Sequence, residues 1–172
     1  MKASGLRNQV GSRTVVGWRE YVALPDLGVA QMRAKLDTGA RTSALHAVHI
    51  KPEIIDGEDW VSFHIPISKM PKDTICRAKV IERRKIKNTS GVPEFRYVIE
   101  TTLILGDFLW KIEVSLADRE NMTHDLILGR TAIRRYDLLV TSGHSFLTGR
   151  IQKNGAKKRK LKSEAIKSTH KE

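Results

Sequence analysis

Cysteine is nearly missing from this chain: Cys76 stands alone among 172 residues. That excludes an intramolecular disulfide and a cysteine-rich zinc site. Placed between Ile75 and Arg77 at the expected start of a strand, Cys76 reads as a core or edge residue rather than a reactive thiol. Aromatics are sparse, with four Phe, three Tyr and three Trp. No run is long and apolar enough to cross a bilayer. Residues 1–12 mix Lys2 and Arg7 with Gly, Ser and Asn where a secretory signal would carry an apolar core. The expectation is a soluble, cytoplasmic protein with a flexible N-terminal lead-in. Acidic residues are in deficit too, 19 against 31 Lys and Arg, for a net charge of +12.

Such a basic balance invites a nucleic-acid partner, so the location of the charge matters more than its size. Residues 152–172 hold eight Lys/Arg against two Glu, half of the whole excess, around Lys157-Lys158-Arg159-Lys160. With almost no apolar content, residues 151–172 are expected to be a disordered basic tail. It is compatible with a solubility tail and with a contact to RNA, the ribosome or an acidic partner.

What remains, residues 13–150, is the right size for one domain with a real core. Its clearest periodicity is two, which indicates strands. Phe95, Tyr97, Ile99, Thr101, Leu103 and Leu105 alternate to one face, Gly106-Asp107 turns the chain, and Phe108, Trp110, Ile112, Val114 and Leu116 return. Further strands are expected over 14–24, 29–36, 60–65, 76–83, 125–128, 138–141 and 145–147. A single short helix is expected over 130–136, directly after Gly129. One short helix among many strands suits a small closed β-barrel better than an α/β fold. Phe95, Tyr97, Phe108 and the three tryptophans, Trp18, Trp60 and Trp110, are read as core.

One segment carries chemistry. Ala34-Lys35-Leu36-Asp37-Thr38-Gly39-Ala40 ends a strand in a carboxylate followed by a turn with backbone room. Alone, Asp-Thr-Gly is equally an ordinary turn. About ninety residues on, Leu126-Ile127-Leu128-Gly129-Arg130 is an apolar strand running through glycine into the expected helix.

With Val16-Gly17-Trp18-Arg19-Glu20, Leu24-Pro25-Asp26-Leu27 and Arg41-Thr42-Ser43-Ala44-Leu45-His46-Ala47, these segments resemble the retropepsin-like aspartic peptidases. The resemblance is greatest to a bacterial family long labelled ATP-dependent zinc proteases, and it spans roughly residues 15–150. It implies that the Asp37-Thr38-Gly39 loop packs beside Ile127-Leu128-Gly129 and that two copies face each other, each supplying one catalytic aspartate. Thr38 would brace the two loops across the axis and Gly39 would let a peptide backbone come close. Two carboxylates roughly 3 Å apart cannot both ionise and so share a proton. A solitary carboxyl with a pKa of about 4 would be fully ionised at neutral pH and could not serve as the acid. The chain holds no second Asp-Thr-Gly or Asp-Ser-Gly, so the partner is expected to be a second copy of itself.

The polar stretch 85–94 is the candidate flap, with Arg83, Ser90, Gly91 and Arg96 beside it as candidate cleft residues, together with Ala40, Arg41 and Thr42. Many retropepsins carry an acid just after Asp-Thr-Gly-Ala, where this chain has Arg41-Thr42. Arg41 either recognises acidic, glutamate-rich substrates bidentately or pairs internally with Asp26 or Glu20. The resemblance agrees with the first, since the bacterial family is associated with enzymes that ligate glutamate to a ribosomal protein, and both alternatives stay open. Arg130 is expected to brace the active-site loops through an internal ion pair. Neither half of the older label fits the residues: His-Glu-x-x-His is absent, His46 and His49 lack the intervening Glu, and there is no phosphate-cradling Gly-x-x-x-x-Gly-Lys loop. No metal or other cofactor is expected. The competing reading is a catalytically idle basic β-barrel that binds RNA or a ribosomal protein.

Overall fold

The computed structural model describes residues 9–87, 90–120 and 123–152, and it is mainly β, as the period-two pattern requires. The strands are β1 (Gln9–Val10), β2 (Arg13–Gly17), β3 (Arg19–Leu24), β4 (Val29–Leu36), β5 (Ser43–His46), β6 (Val48–Ile55), β7 (Glu58–His64), β8 (Cys76–Lys87), β9 (Pro93–Leu105), β10 (Phe108–Ala117), β11 (Leu126–Leu128) and β12 (Leu139–Thr141). Among the described residues the single α-helix, α1 (Arg130–Ile133), runs into a 3-10 turn at Arg134–Tyr136, and another 3-10 turn spans Pro25–Leu27.

Six strands close into a ring in the order β10-β5-β11-β4-β3-β9, with β9 returning to β10. Closure removes exposed strand edges from the middle of the molecule. β8, β7 and β6 extend the sheet beyond β9, and β1, β2 and β12 form a separate three-stranded sheet. The core fills the ring with Val22, Leu36, Leu45, Ile99, Leu103, Leu105, Val114 and Leu126, among others. β9 and β10 pair from Leu105 opposite Phe108 onward, and Gly106 opens their two-residue turn at φ 55°. Cys76 is buried at the start of β8, which pushes its thiol pKa up and fits a packing role.

Four details depart from the sequence reading. The strand expected over 14–24 is two strands broken at Trp18, whose N–H bonds to the carbonyl of His144 and whose carbonyl accepts from Leu36. Residues 145–147 form no strand, because Phe146 sits at φ 58°, outside the strand region. β5 and the long β6 were not foreseen, since the charged and polar residues of His46–Glu58 blur the alternation. Phe95 is 61% exposed and not core, while Trp18 and Trp60 are half-buried and Trp110 is buried.

Residues 9–12 of the expected lead-in form β1 and a turn at Gly11. In the basic tail, the residues after Gln152 lie outside the described residues. Among the described residues no helix is long and apolar enough to cross a membrane.

A loop of residues 144–149 closes over the start of β3, and Glu20 holds it. Glu20 is completely buried. Its Oε1 accepts from the N–H of Gly17 at 2.6 Å and of Leu147 at 2.9 Å. Its Oε2 accepts from the N–H and hydroxyl of Thr148 at 3.2 and 2.8 Å. Four donors replace the water that a buried carboxylate loses.

Candidate active site

β11 is inserted between β4 and β5, parallel to the first and antiparallel to the second. The chain leaving β4 must therefore cross the end of β11 before it returns as β5, and residues 37–42 make that crossing. The N–H of Asp37 continues the ladder to the carbonyl of Leu128 at 2.8 Å. The N–H groups of Arg130 and Thr131 reach the carbonyls of Ala40 and Arg41 at 2.8 and 3.2 Å. Gly129 donates to the Ser43 hydroxyl at 3.1 Å. The loop is thus stitched on both sides to the Leu128–Thr131 corner.

Backbone amides and one close-packed glycine hold this crossing. Gly39 gives its N–H to Asp37 Oδ1 at 3.0 Å, and Ala40 adds a second at 3.2 Å. Gly129 lies so close to Thr42 that there is no space for a side chain. Arg130 braces the loop, but through hydrogen bonds and not the expected ion pair: its guanidinium donates to the carbonyls of Thr38 and Gly39 at 3.1 and 3.0 Å.

These contacts hold the Asp37 carboxylate at the mouth of the ring, half-exposed. Oδ1 faces the two amides, and Oδ2 faces Lys35 Nζ at 3.3 Å. Burial raises the Asp37 pKa, but the hydrogen bond and positive charge of Lys35, with the Gly39 and Ala40 amides, outweigh it and hold the group below the ordinary carboxylate range. A single copy therefore carries an ionised aspartate at this position.

Thr38, Gly39 and Arg41 are exposed around Asp37, Ala40 and Thr42 are half-buried, and Leu128 and Gly129 are buried beneath, with Ile127 half-buried. Arg41 does not pair with Asp26 or Glu20. Asp26 instead accepts from the N–H and hydroxyl of Thr102 and from Lys111, and Glu20 is taken up by the 144–149 loop. The proposed flap is the β8–β9 hairpin, with Ser90 exposed and Gly91 at φ 77°. Arg83 lies over the rings of Phe95 and Tyr97. Arg96, expected on a cleft wall, is buried with its guanidinium 3.2 Å from Glu94. Both arginines thus have their partners on the hairpin itself.

Two residues escaped the sequence reading. Glu20 needed the tertiary contact to 144–149 to be seen. Lys35 was legible, because a residue two before Asp37 on a strand shares its face.

Residues 15–150 match the family described as RimB-like, the retropepsin-like aspartic endopeptidase RimB. The chain belongs to this family. Relatives of this RimB-like chain include a probable alpha-L-glutamate ligase of Shewanella halifaxensis, 41% identical over 140 residues, covering 80% of this chain and 30% of the relative. Another is the protein of the same name from Desulfotalea psychrophila, 40% identical over 124 residues, covering 71% and 27%. The chain thus spans about 30% of the length of the first of these relatives. Among solved structures, a Legionella pneumophila protein of unknown function shares the fold with a TM-score of 0.68 and 30% identity, over 78% of this chain and 97% of its own. The RimB-like family and the mainly β ring agree with the resemblance read from the motifs.

Proposed function

We propose that this protein is an aspartic endopeptidase that works as a two-fold homodimer, each copy contributing Asp37. The observation that supports this most directly is the placement of one carboxylate at an open strand end, on a loop pinned from both sides, with no second carboxylate among its described partners. The chemistry needs two. When a second Asp37 comes within roughly 3 Å, mutual repulsion overcomes the local depression and the pair holds a proton between them.

One carboxylate then takes a proton from water as its oxygen attacks the peptide carbonyl carbon, while the protonated partner gives its proton to the carbonyl oxygen. Collapse of the resulting gem-diol expels the amine, which takes a proton back from the pair. Thr38 and Gly39, at the exposed tip of the loop, suit a contact across the two-fold axis and a close approach of peptide backbone. The β8–β9 hairpin is the proposed cover over the substrate. The curated relatives are named for ligating glutamate and this chain matches only a part of them, which favours glutamate-bearing peptides as substrate.

The test is cleavage of glutamate-tailed and mixed-sequence peptides by wild type and Asp37→Asn across acidic to neutral pH and a range of enzyme concentrations. Hydrolysis lost in Asp37→Asn and rising faster than linearly with enzyme supports the reading. Equal cleavage by both proteins, or none by either, removes it.

A further inference from the structure

A two-fold axis sets each patch of surface against its own copy. Close to the axis, a patch of one sign therefore meets the same sign, and the partner has no different residue to offset it. The proposed dimer brings the two Asp37 loops to that position, so the charges fixed to those loops decide how readily the copies meet.

Three cations are fixed there. Lys35 Nζ lies 3.3 Å from Asp37 Oδ2. The Arg130 guanidinium is held by the carbonyls of Thr38 and Gly39 at 3.1 and 3.0 Å. Arg41, four residues past Asp37, is exposed on the same loop. Neither Arg41 nor Arg130 forms an ion pair among the described residues. Arg134 widens the patch, being exposed one helical turn after Arg130 and so on the same side.

Acids on the same elements do not offset these charges. Glu20 is buried and taken up by the 144–149 loop, and Asp137 pairs with Arg13 at 2.6 Å. Asp125 lies at the far end of β11, in the lining of a groove with Arg33. The carboxylate among the cations is Asp37 itself.

Distance makes the repulsion direct. Carboxyls that share a proton stand roughly 3 Å apart, and each keeps its Lys35 at 3.3 Å. The two ammonium groups then come within about 10–15 Å, where salt below about 0.1 M screens little. The shared proton leaves the aspartate pair one negative charge, against Lys35, Arg41 and Arg130 from each copy. Like charges set face to face oppose association.

We infer that like charge around the Asp37 loops holds two copies apart, so that the single copy is the resting form and screening by salt assembles the active pair. It rests on the endopeptidase reading and adds the control of its assembly. Thr38 and Gly39 carry no charge at the loop tip, so the contact itself is open to the two copies and the surrounding cations oppose it. At low ionic strength the protein is then present as copies whose ionised Asp37 lacks an acid. Raising the ionic strength increases the number of active sites and leaves the chemistry within each site unchanged.

Two measurements on the full-length chain test this at neutral pH. Sedimentation equilibrium follows the dimer constant from roughly 0.05 to 0.5 M NaCl, a range over which the Debye length shrinks about threefold. The dimer is expected to tighten about tenfold or more across that range. At the low-salt end Arg41→Gln should tighten it severalfold, while Lys158→Gln, the same loss of charge in the basic tail, should leave it within about twofold of wild type. In the second, subunit exchange followed by energy transfer between labelled copies should show wild type pairing with Arg41→Glu in preference to itself, because opposite charges then face each other.

A dimer constant unchanged or weakened by salt overturns the inference and leaves the endopeptidase reading standing. So does equal tightening by Lys158→Gln and Arg41→Gln, or the absence of any preference for the mixed pair. Protein that stays monomeric under every condition overturns it too, and if Asp37-dependent cleavage is also missing, the endopeptidase reading falls with it.

Discussion

A Cβ built on Gly129 would lie 2.6 Å from both the carbonyl carbon and the oxygen of Thr42. These are backbone atoms, which cannot rotate away as the end of a side chain would. Gly129→Ala must therefore push the 37–42 loop off the β11 corner, costing about 1–3 kcal/mol by overpacking and displacing Asp37. The expected result is a lower denaturant midpoint together with loss of the proposed peptidase activity. Gly143→Ala, with nothing within 4 Å, is the matched control and should change neither.

Glu20 meets donors at both oxygens, so an amide cannot replace it. In Glu20→Gln one end of the side chain becomes an NH₂ facing N–H or O–H groups in a site closed to water. That leaves buried donors without acceptors, at about 1–3 kcal/mol or more. Urea unfolding at neutral pH should show the loss. Trp18, whose N–H bonds to His144 in the same loop, should report it by fluorescence.

Asp26 provides a pH signature. Burial raises its pKa, but the hydrogen bonds from Thr102 and Lys111 and the Lys111 charge outweigh that, and the net shift is downward. A carboxyl with a lower pKa folded than unfolded stabilises the protein above its unfolded value of about 4 and loses that contribution as pH falls through the folded value. The group is 45% exposed, so screening limits the effect to roughly 0.5–1 kcal/mol. Wild type should be more stable than Asp26→Asn at pH 7, and the difference should shrink as pH falls below the ordinary carboxylate value of about 4 and through the lowered folded one.

Lys35 and Asp37 set the pH dependence of the proposed reaction. A shared proton between two carboxyls gives a bell-shaped profile with one limb for each macroscopic pKa. The Lys35 charge lowers both, so Lys35→Met should move both limbs to higher pH. Limbs that stay in place would mean that Lys35 has left Asp37 altogether in the dimer.

The Asp-Thr-Gly and Leu-Ile-Leu-Gly-Arg segments were legible because each is local: a strand end, a tight turn, a helix start. Strands β4, β9 and β10 were legible because one face is buried over much of their length, at Met32, Ala34 and Leu36, at Ile99, Thr101, Leu103 and Leu105, and at Trp110, Ile112, Val114 and Leu116, which enforces a period of two. A closed β structure was expected, but the strand order of the ring was not legible, nor was the insertion of β11 between β4 and β5, since a three-residue strand carries too little pattern to name its neighbours. The buried Arg96 and the exposed Phe95 misled for a related reason. At the hairpin, pairing with Glu94 and stacking under Arg83 decide their environments more than polarity does.

The sequence by itself determined the strand-rich class and the candidate carboxylate, because alternation and short motifs are properties of neighbours along the chain. Only the tertiary structure decided that Glu20 anchors a loop more than 120 residues away, that Arg130 braces Thr38 and Gly39 through their carbonyls, and that Arg19 sits opposite Lys35, whose ammonium reaches Asp37. Charge and hydrogen bonding act through space, and their partners are chosen by how the ring closes.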